Sequence, residues 1–185
     1  MEIMLLRHGR PAFRLSGIVR ASELKNVATS YDASGIIDQP PPELIDKMSG
    51  YDCVVCSDLQ RSLESARALG YRDNLLMAPL FSEAAIPYFN RGFLALPISF
   101  WVVLLRLLWL FGFSQNGESF SATKVRAKQA ANRLIELAEQ HQRVLLVGHG
   151  FINHFIAKEL KLIGWKGPKS SGRTYWEYSV YQLAG

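Results

Sequence analysis

Two histidines follow two apolar segments that lie far apart in the chain and have the composition of buried strands. Arg7-His8-Gly9 comes directly after residues 3–6, and His149-Gly150 comes directly after residues 144–147. Buried parallel strands of α/β proteins end at the crevice where ligands bind, so both imidazoles are expected there. A neutral imidazole nitrogen is a competent nucleophile toward phosphorus near pH 7. The histidine pair, with an arginine beside one member, therefore indicates phosphoryl transfer through a histidine.

Cations and an acid are the other groups that such a transfer needs. The oxygens of the transferring group are negatively charged, and the planar fork of arginine can bind two of them at once. Arg7 is adjacent to His8, and Arg61 lies in the first turn of a predicted helix, whose N-terminus also favours an anion. The leaving oxygen needs a proton. Glu83 follows a third strand-like segment, and its apolar neighbours are expected to favour the protonated form.

The order of these groups along the chain resembles that of the histidine phosphatase superfamily, which includes the cofactor-dependent phosphoglycerate mutases. The resemblance is carried by Arg7-His8-Gly9, Ser57-Asp58-Leu59-Gln60-Arg61-Ser62, Glu83 and Val147-Gly148-His149-Gly150, and it covers nearly the whole chain except residues 86–117. It implies that His8 is the phosphorylated nucleophile and Glu83 the proton donor. Arg7, Arg61 and His149 would form the rest of the phosphate pocket, with no metal or cofactor. Gly9 and Gly150 are predicted to let the backbone approach the phosphate, since glycine leaves room.

The residues after the first histidine depart from the mutase-like members of that family. Arg10-Pro11 stands where Glu-Ser or Glu-Thr is usual, and Arg14 stands where an asparagine usually contacts the phosphate. Arg14 either adds a cation to the phosphate pocket or points to solvent. The expected activity is therefore hydrolysis of a small phosphomonoester. A phosphoglycerate mutase-like phosphotransferase is the enzymatic alternative, and a catalytically idle module that docks on a membrane or a partner is the other.

Composition sets the class of protein and of partner. The chain has 185 residues and a net charge of +5, which favours an anionic partner. It has no long Lys/Arg run and no recognisable nucleic-acid module, so no nucleic-acid partner is expected. Its N-terminus lacks the features of a secretory signal, which predicts a cytoplasmic protein. A peripheral position at a membrane surface is compatible with this prediction. Cys53 and Cys56 are three apart on a predicted strand and should point to opposite faces of the sheet.

Alternating strands and helices predict an α/β fold, namely a three-layer sandwich with a mostly parallel central sheet flanked by helices, plus an apolar helical cap. Residues 1–185 are expected to form one domain, with residues 86–117 as the inserted cap and residues 9–39 as a long loop. Ser57 is expected to cap the helix after the second strand, with Gln60 completing a capping box. Strands are predicted at residues 2–7, 52–56, 75–77, 143–147 and 175–183, and helices at 40–48, 57–69, 118–140 and 151–162.

Residues 93–113 are unusually apolar, since only Pro97, Ser99, Arg106 and Gly112 of these residues are not strongly apolar. The stretch approaches the roughly 20 residues that span a bilayer. A single crossing, however, would place His8 and His149 on opposite sides of the membrane. Three interpretations stay open, namely a buried lid helix or helical hairpin, a homodimer interface, and a patch resting on a membrane surface. A helix that is apolar all round is normally buried, which favours the first two. An apolar cap also predicts a phosphorylated small-molecule substrate with a hydrophobic part.

Overall fold

A five-stranded sheet lies at the centre of the computed structural model, which describes residues 1–183. Its strand order is β4-β3-β6-β1-β7, with parallel pairing throughout except for β7, which runs antiparallel to β1. Strands β2 and β5 form a separate antiparallel ribbon. The strands are β1 (Glu2–Arg7), β2 (Ile18–Arg20), β3 (Cys53–Cys56), β4 (Leu75–Met77), β5 (Ala95–Pro97), β6 (Arg143–Gly148) and β7 (Tyr178–Gln182).

Helices cover both faces of the sheet, because its central strands are apolar on both sides. Ile3 and Leu5 of β1 pack on the side of α5 and α6, whereas Met4 and Leu6 pack on the side of α2 and α3. The three-layer, mostly parallel sandwich predicted from the sequence is confirmed. The helices are α1 (Leu24–Asp32), α2 (Pro42–Met48), α3 (Gln60–Ala68), α4 (Ile98–Leu110), α5 (Phe120–His141) and α6 (Gly150–Leu162).

The two cysteines lie on opposite faces of the sheet, as their spacing predicts. Cys53 belongs to the core beneath α5 and α6, and Cys56 belongs to the core beneath α2 and α3. Both thiols are buried and unpaired. Burial raises their pKa values, that of Cys56 to about 11, so they remain protonated core residues.

The prediction of a long loop at residues 9–39 is wrong. The segment contains β2, a short 3-10 turn at Ala21–Glu23 and helix α1. Its buried side chains Ala21 and Leu24 pack against Trp101 and Leu105 of α4, which lies far along the chain. Contacts with α4 therefore stabilise the segment. Too few of its own residues are apolar for a periodic pattern to predict its strand and helix.

Helix α4 buries only one side, in contrast to the fully covered helix that its composition favours. The buried side carries Ile98, Trp101, Leu105 and Trp109. The Nε1–H of Trp101 donates to the carbonyl of Val19 at 3.0 Å, and that of Trp109 donates to the carbonyl of Glu118 at 2.8 Å. The opposite side is exposed and also apolar: Phe100, Val103, Leu107 and Leu110. Across residues 1–183, none of the helices combines the length and apolar character needed to cross a bilayer.

The central position of β6 predicts a strong effect of truncating its side chains. Leu146 is fully buried there. We expect Leu146→Ala to lower the free energy of unfolding by about 2–5 kcal/mol, because it leaves a cavity in a packed core. Urea unfolding followed by circular dichroism measures the change. The matched control is Leu162→Ala at the exposed end of α6, which should stay within about 0.5 kcal/mol of the parent. Equal losses in the two variants would contradict the described core.

Candidate active site

Parallel pairing of β1 with β6 brings the two histidines together. The register places Arg7 opposite Gly148, and the next backbone N–H, that of His8, donates to the carbonyl of Gly148 at 3.0 Å. The imidazole centroids of His8 and His149 lie 4.9 Å apart, with the rings inclined at 59°. Both rings are almost completely buried. The carboxyl ends of two adjacent strands therefore create one site, as expected for this type of sheet.

His8 is held as a neutral imidazole with a defined tautomer. Its Nδ1 lies 2.6 Å from the carbonyl oxygen of Gly9, which can only accept, so Nδ1 carries the proton. Burial, together with the nearby positive charges of Arg61 and Arg7, lowers the pKa of His8 to about 3, against the opposing effect of the Gly9 bond. The Nε2 atom thus has a lone pair available at neutral pH. That is the state in which an imidazole acts as a nucleophile.

His149 is also neutral and is oriented by Ser57. Burial holds its pKa well below the ordinary range, and the positive charges of its neighbours act in the same direction. Its Nε2 lies 2.6 Å from the hydroxyl of Ser57, at the end of β3. The predicted capping box is therefore wrong, since α3 begins at Gln60 with Leu59 as its capping residue. The Ser57 hydroxyl binds the histidine of the adjacent strand, a role that strand order alone could have indicated.

Arg61 projects from the first turn of α3 into the buried site. Its guanidinium donates to the carbonyl of Tyr31 at 3.0 Å and to the carboxylate of Asp32 at 3.3 Å. It also stacks over the ring of Tyr31 at 4.5 Å. Tyr31 and Asp32 end helix α1, in the segment that the sequence predicts as loop. Their part in holding Arg61 was not predicted.

Arg7 is held on the other side of the histidine pair by the loop before β7. Its Nη1 donates to the carbonyl of Arg173, and its guanidinium stacks 4.6 Å from the ring centroid of Tyr175. The ring of Tyr175 also lies 5.7 Å from the ring of His8. Tyr175 thus covers both groups, and no spacing or motif in the sequence indicates this.

Several buried polar atoms around the histidines have no hydrogen-bond partner within residues 1–183. Natural proteins rarely leave such groups unsatisfied, so they mark a place where a ligand would bind. Three of these atoms are the nitrogens Arg7 Nε, Arg61 Nε and His149 Nδ1. Two of the three belong to permanently charged guanidinium groups, so the complementary ligand beside them is an anion. Asn153 Oδ1, next to Gly148, and Trp176 Nε1, next to Gly9, also have no partner among the described residues.

Glu83 lies at the N-terminus of α6, the helix that His149 caps. Its carboxylate accepts hydrogen bonds from the backbone N–H groups of Ala84 at 2.9 Å, Phe151 at 3.1 Å and Ile152 at 3.0 Å. The apolar neighbours predicted from the sequence are therefore not its only surroundings, because three donors and a helix N-terminus also contact the group. The same helix turn therefore positions His149 and Glu83.

Arg126 of α5 fixes the loop that carries Glu83. Its Nη1 donates to the carbonyls of Leu80 at 3.0 Å and Ser82 at 2.7 Å. The remaining guanidinium nitrogens bind the carboxylate of Glu118, the closest pair at 2.7 Å. Because Trp109 of the cap donates to the carbonyl of Glu118, one network links the cap helix to the Glu83 loop.

The two glycines differ in what they contribute. The N–H of Gly9 already donates to the hydroxyl of Ser65 at 2.9 Å, and a Cβ at Gly9 would collide with the ring of Trp176. Gly9 therefore allows close packing, which differs from the predicted approach of its backbone to phosphate. A Cβ at Gly150 would lie 3.5 Å from the guanidinium carbon of Arg7, an ordinary contact.

Arg14 is exposed and makes no contact with the histidine pair in the described structure. It lines a neighbouring cavity of about 280 Å³, and so does Arg10. Tyr31 and Tyr175 form part of the wall, so each tyrosine touches both the cavity and one arginine of the site. The other lining residues are Pro11, Phe13, Leu15 and Ile37.

Comparison with known proteins identifies the fold. No protein-family model and no curated protein sequence matches the chain. Three solved structures that share its fold are a mycobacterial hydrolase (TM-score 0.64, 17% identity), a mycobacterial glucosyl-3-phosphoglycerate phosphatase (0.58, 19%) and the phosphoserine phosphatase of Entamoeba histolytica (0.59, 16%). Each alignment covers 97% of this chain, and 89%, 88% and 89% of the respective solved chains. These similarities confirm the predicted histidine phosphatase fold.

Burial of the two neutral histidines predicts a pH-dependent stability. The pKa of His8 falls from about 6.5 in the unfolded chain to about 3, so below pH 6.5 the unfolded state binds more protons. Stability should be complete above about pH 6.5 and should be lost as the pH falls toward 3, with a slope of up to about 1.4 kcal/mol per pH unit for each buried histidine. We expect His8→Gln to reduce that slope in urea unfolding between about pH 7 and about pH 5.

The control for this measurement is His154→Gln, which replaces an exposed histidine of α6. It should keep the slope of the parent protein. A parent stability that does not change over this pH range, or equal slopes for His8→Gln and the parent, would contradict the burial of His8 as a neutral group.

Proposed function

We propose that the protein is a phosphomonoesterase that works through a phosphohistidine at His8. The observation that carries the proposal is the set of unpartnered nitrogens on Arg7, Arg61 and His149, which surround a neutral His8. Three nitrogen donors beside the nucleophile suit the oxygens of a phosphoryl group. The solved structures named as phosphatases of phosphoserine and of glucosyl-3-phosphoglycerate support hydrolysis of a small phosphate ester on this fold.

The first step transfers the phosphoryl group to the protein. The Nε2 lone pair of His8 attacks phosphorus, the N–P bond forms, and the bond from phosphorus to the ester oxygen breaks. The leaving oxygen takes a proton from Glu83 and departs as an alcohol. Arg7 and Arg61 bind the equatorial oxygens, and the Nδ1–H of His149 donates to one of them when Ser57 donates to its Nε2.

The second step returns the protein to its starting state. A water molecule attacks the phosphorus of phospho-His8, the N–P bond breaks, and the proton of the water passes to the Glu83 carboxylate. Inorganic phosphate leaves. The three backbone N–H bonds to Glu83 fix the position of its carboxyl group for both steps.

The cavity beside the histidine pair supports a substrate whose alcohol part is partly apolar. Tyr31, Tyr175, Phe13 and Leu15 offer aromatic and aliphatic contacts to the leaving group. Arg10 and Arg14 at the same cavity add cations for an anionic substituent on that group. Arg14 in this proposal contributes to substrate selection, outside the phosphate pocket.

Substitution of the nucleophile tests the chemistry. We expect His8→Ala to lower kcat for p-nitrophenyl phosphate by about 1,000-fold or more. Alanine offers no nucleophile for covalent transfer, and direct attack of water on the substrate is inefficient. The rate of p-nitrophenol release measures it. His154→Ala is the matched control and should retain the parent rate. Equal rates for His8→Ala and the parent would exclude the mechanism, and a requirement for a bisphosphorylated cofactor would favour the mutase alternative.

Substitution of the acid tests the role of Glu83 in proton transfer. Glu83→Gln should slow hydrolysis of an alkyl phosphate by about 100-fold or more, since a poor leaving group needs a proton. The loss should be much smaller for p-nitrophenyl phosphate, whose leaving group is already stable as an anion. Glu136→Gln, at an exposed position of α5, is the control. A loss that is the same for both esters would mean that Glu83 only holds the start of α6 in place.

A further inference from the structure

The outer surface of the cap carries many apolar side chains that the fold leaves exposed. Four of its residues lie on one arc of α4, and Phe93 and Phe111, which are 95% and 89% exposed, flank the helix. Single exposed apolar residues are ordinary, whereas a concentration of them on one helix and its two flanks marks a binding surface. We call it the lid surface: Ile18, Phe93, Leu94, Phe100, Val103, Leu107, Leu110 and Phe111.

Backbone pairing joins the lid surface to the cavity at the candidate active site. Ile18 of β2 pairs with Pro97 of β5, and the N–H of Ile98 donates to the carbonyl of Gly17 at 3.0 Å. The start of α4 is thereby attached to the loop that precedes β2. Leu15 of this loop is 39% exposed and lines the cavity, so apolar surface extends from α4 toward the substrate opening.

The charges around the lid surface are mostly positive. Residues 9–22 and 84–117 contain arginines and no aspartate or glutamate. The carboxylates that lie next to these segments include Glu23, which accepts from the backbone N–H of Arg20, and Asp38, which accepts from that of Arg10. Four of these arginines are exposed, and none of the four takes part in an ion pair within the described part of the chain: Arg10, Arg14, Arg20 and Arg91. An apolar surface with a mainly cationic border fits a partner that offers hydrocarbon and negative charge together.

We propose that the lid surface docks on an anionic lipid bilayer, with α4 lying in the plane of the membrane. Its exposed apolar arc would enter the boundary between headgroups and acyl chains, and the arginines would contact acidic headgroups. A second copy of the chain fits the same surface less well. A two-fold contact would place each mainly cationic border against another, with few carboxylates to neutralise it. This docking does not depend on the phosphatase activity.

Flotation of the full chain with vesicles tests the proposal. The protein should bind vesicles of phosphatidylcholine with phosphatidylglycerol and should bind weakly to phosphatidylcholine alone. We expect the double variant Phe100→Ser/Leu107→Ser to lose binding by about tenfold or more, because it removes exposed apolar groups that enter the bilayer. Arg20→Gln/Arg91→Gln should lose the preference for the anionic lipid.

Two controls separate docking from folding and from catalysis. Val125→Ser/Leu162→Ser removes equally exposed apolar side chains of α5 and α6, away from the lid surface, and should bind vesicles like the parent. His8→Ala should also bind vesicles like the parent, so the docking proposal can be tested even if the phosphatase proposal fails. The proposal is overturned by absence of binding to anionic vesicles. It is equally overturned if Phe100→Ser/Leu107→Ser binds vesicles like the parent. A third contradicting result is a parent protein that does not bind vesicles and that light scattering shows to be a dimer, while the double variant is a monomer.

Discussion

The pairing of β1 with β6 is the constraint on which the rest of the site depends. Its register sets the ends of both strands side by side, so the imidazoles of His8 and His149 meet at 4.9 Å inside a closed environment. The two guanidinium groups beside them already carry positive charge, so protonation of either imidazole is unfavourable. Burial keeps both imidazoles neutral, and a neutral ring is what nucleophilic attack needs. The same desolvation that costs stability in acid thus prepares the chemistry.

The N-terminus of α6 connects this chemistry to the cap. His149 caps the helix, and the next turn donates two N–H groups to Glu83. Arg126 holds the Glu83 loop and binds Glu118, to whose carbonyl Trp109 of α4 donates. A movement of the cap would therefore shift the position of Glu83 through three hydrogen-bonded links. The inner side of α4 thus contacts the network that positions Glu83, and its outer side remains available for an external partner.

The sequence predicts the sheet and the central residues of the site well, because both produce local signals. Apolar runs before His8 and His149 identify the buried strands, and Arg61 and Glu83 follow strand-like segments in a recognisable order. Tyr31, Tyr175 and Arg126 produce no such signal, since their importance arises from contacts with distant parts of the chain. The structure of residues 9–39 lacks a local signal for the same reason, because α4 supplies the apolar partners of its buried side chains. The exposed arc of α4 could not be predicted, since all sides of that helix are equally apolar.

Locating the phosphoryl group on the protein tests the central claim most directly. The protein would be mixed rapidly with p-nitrophenyl phosphate, quenched in alkaline denaturant, which preserves phosphohistidine, and digested for mass spectrometry. The account predicts that the phosphoryl group is found on the peptide that contains His8 and is absent from the peptide that contains His149. A phosphoryl group on His149, or turnover with none bound to either histidine, would contradict it.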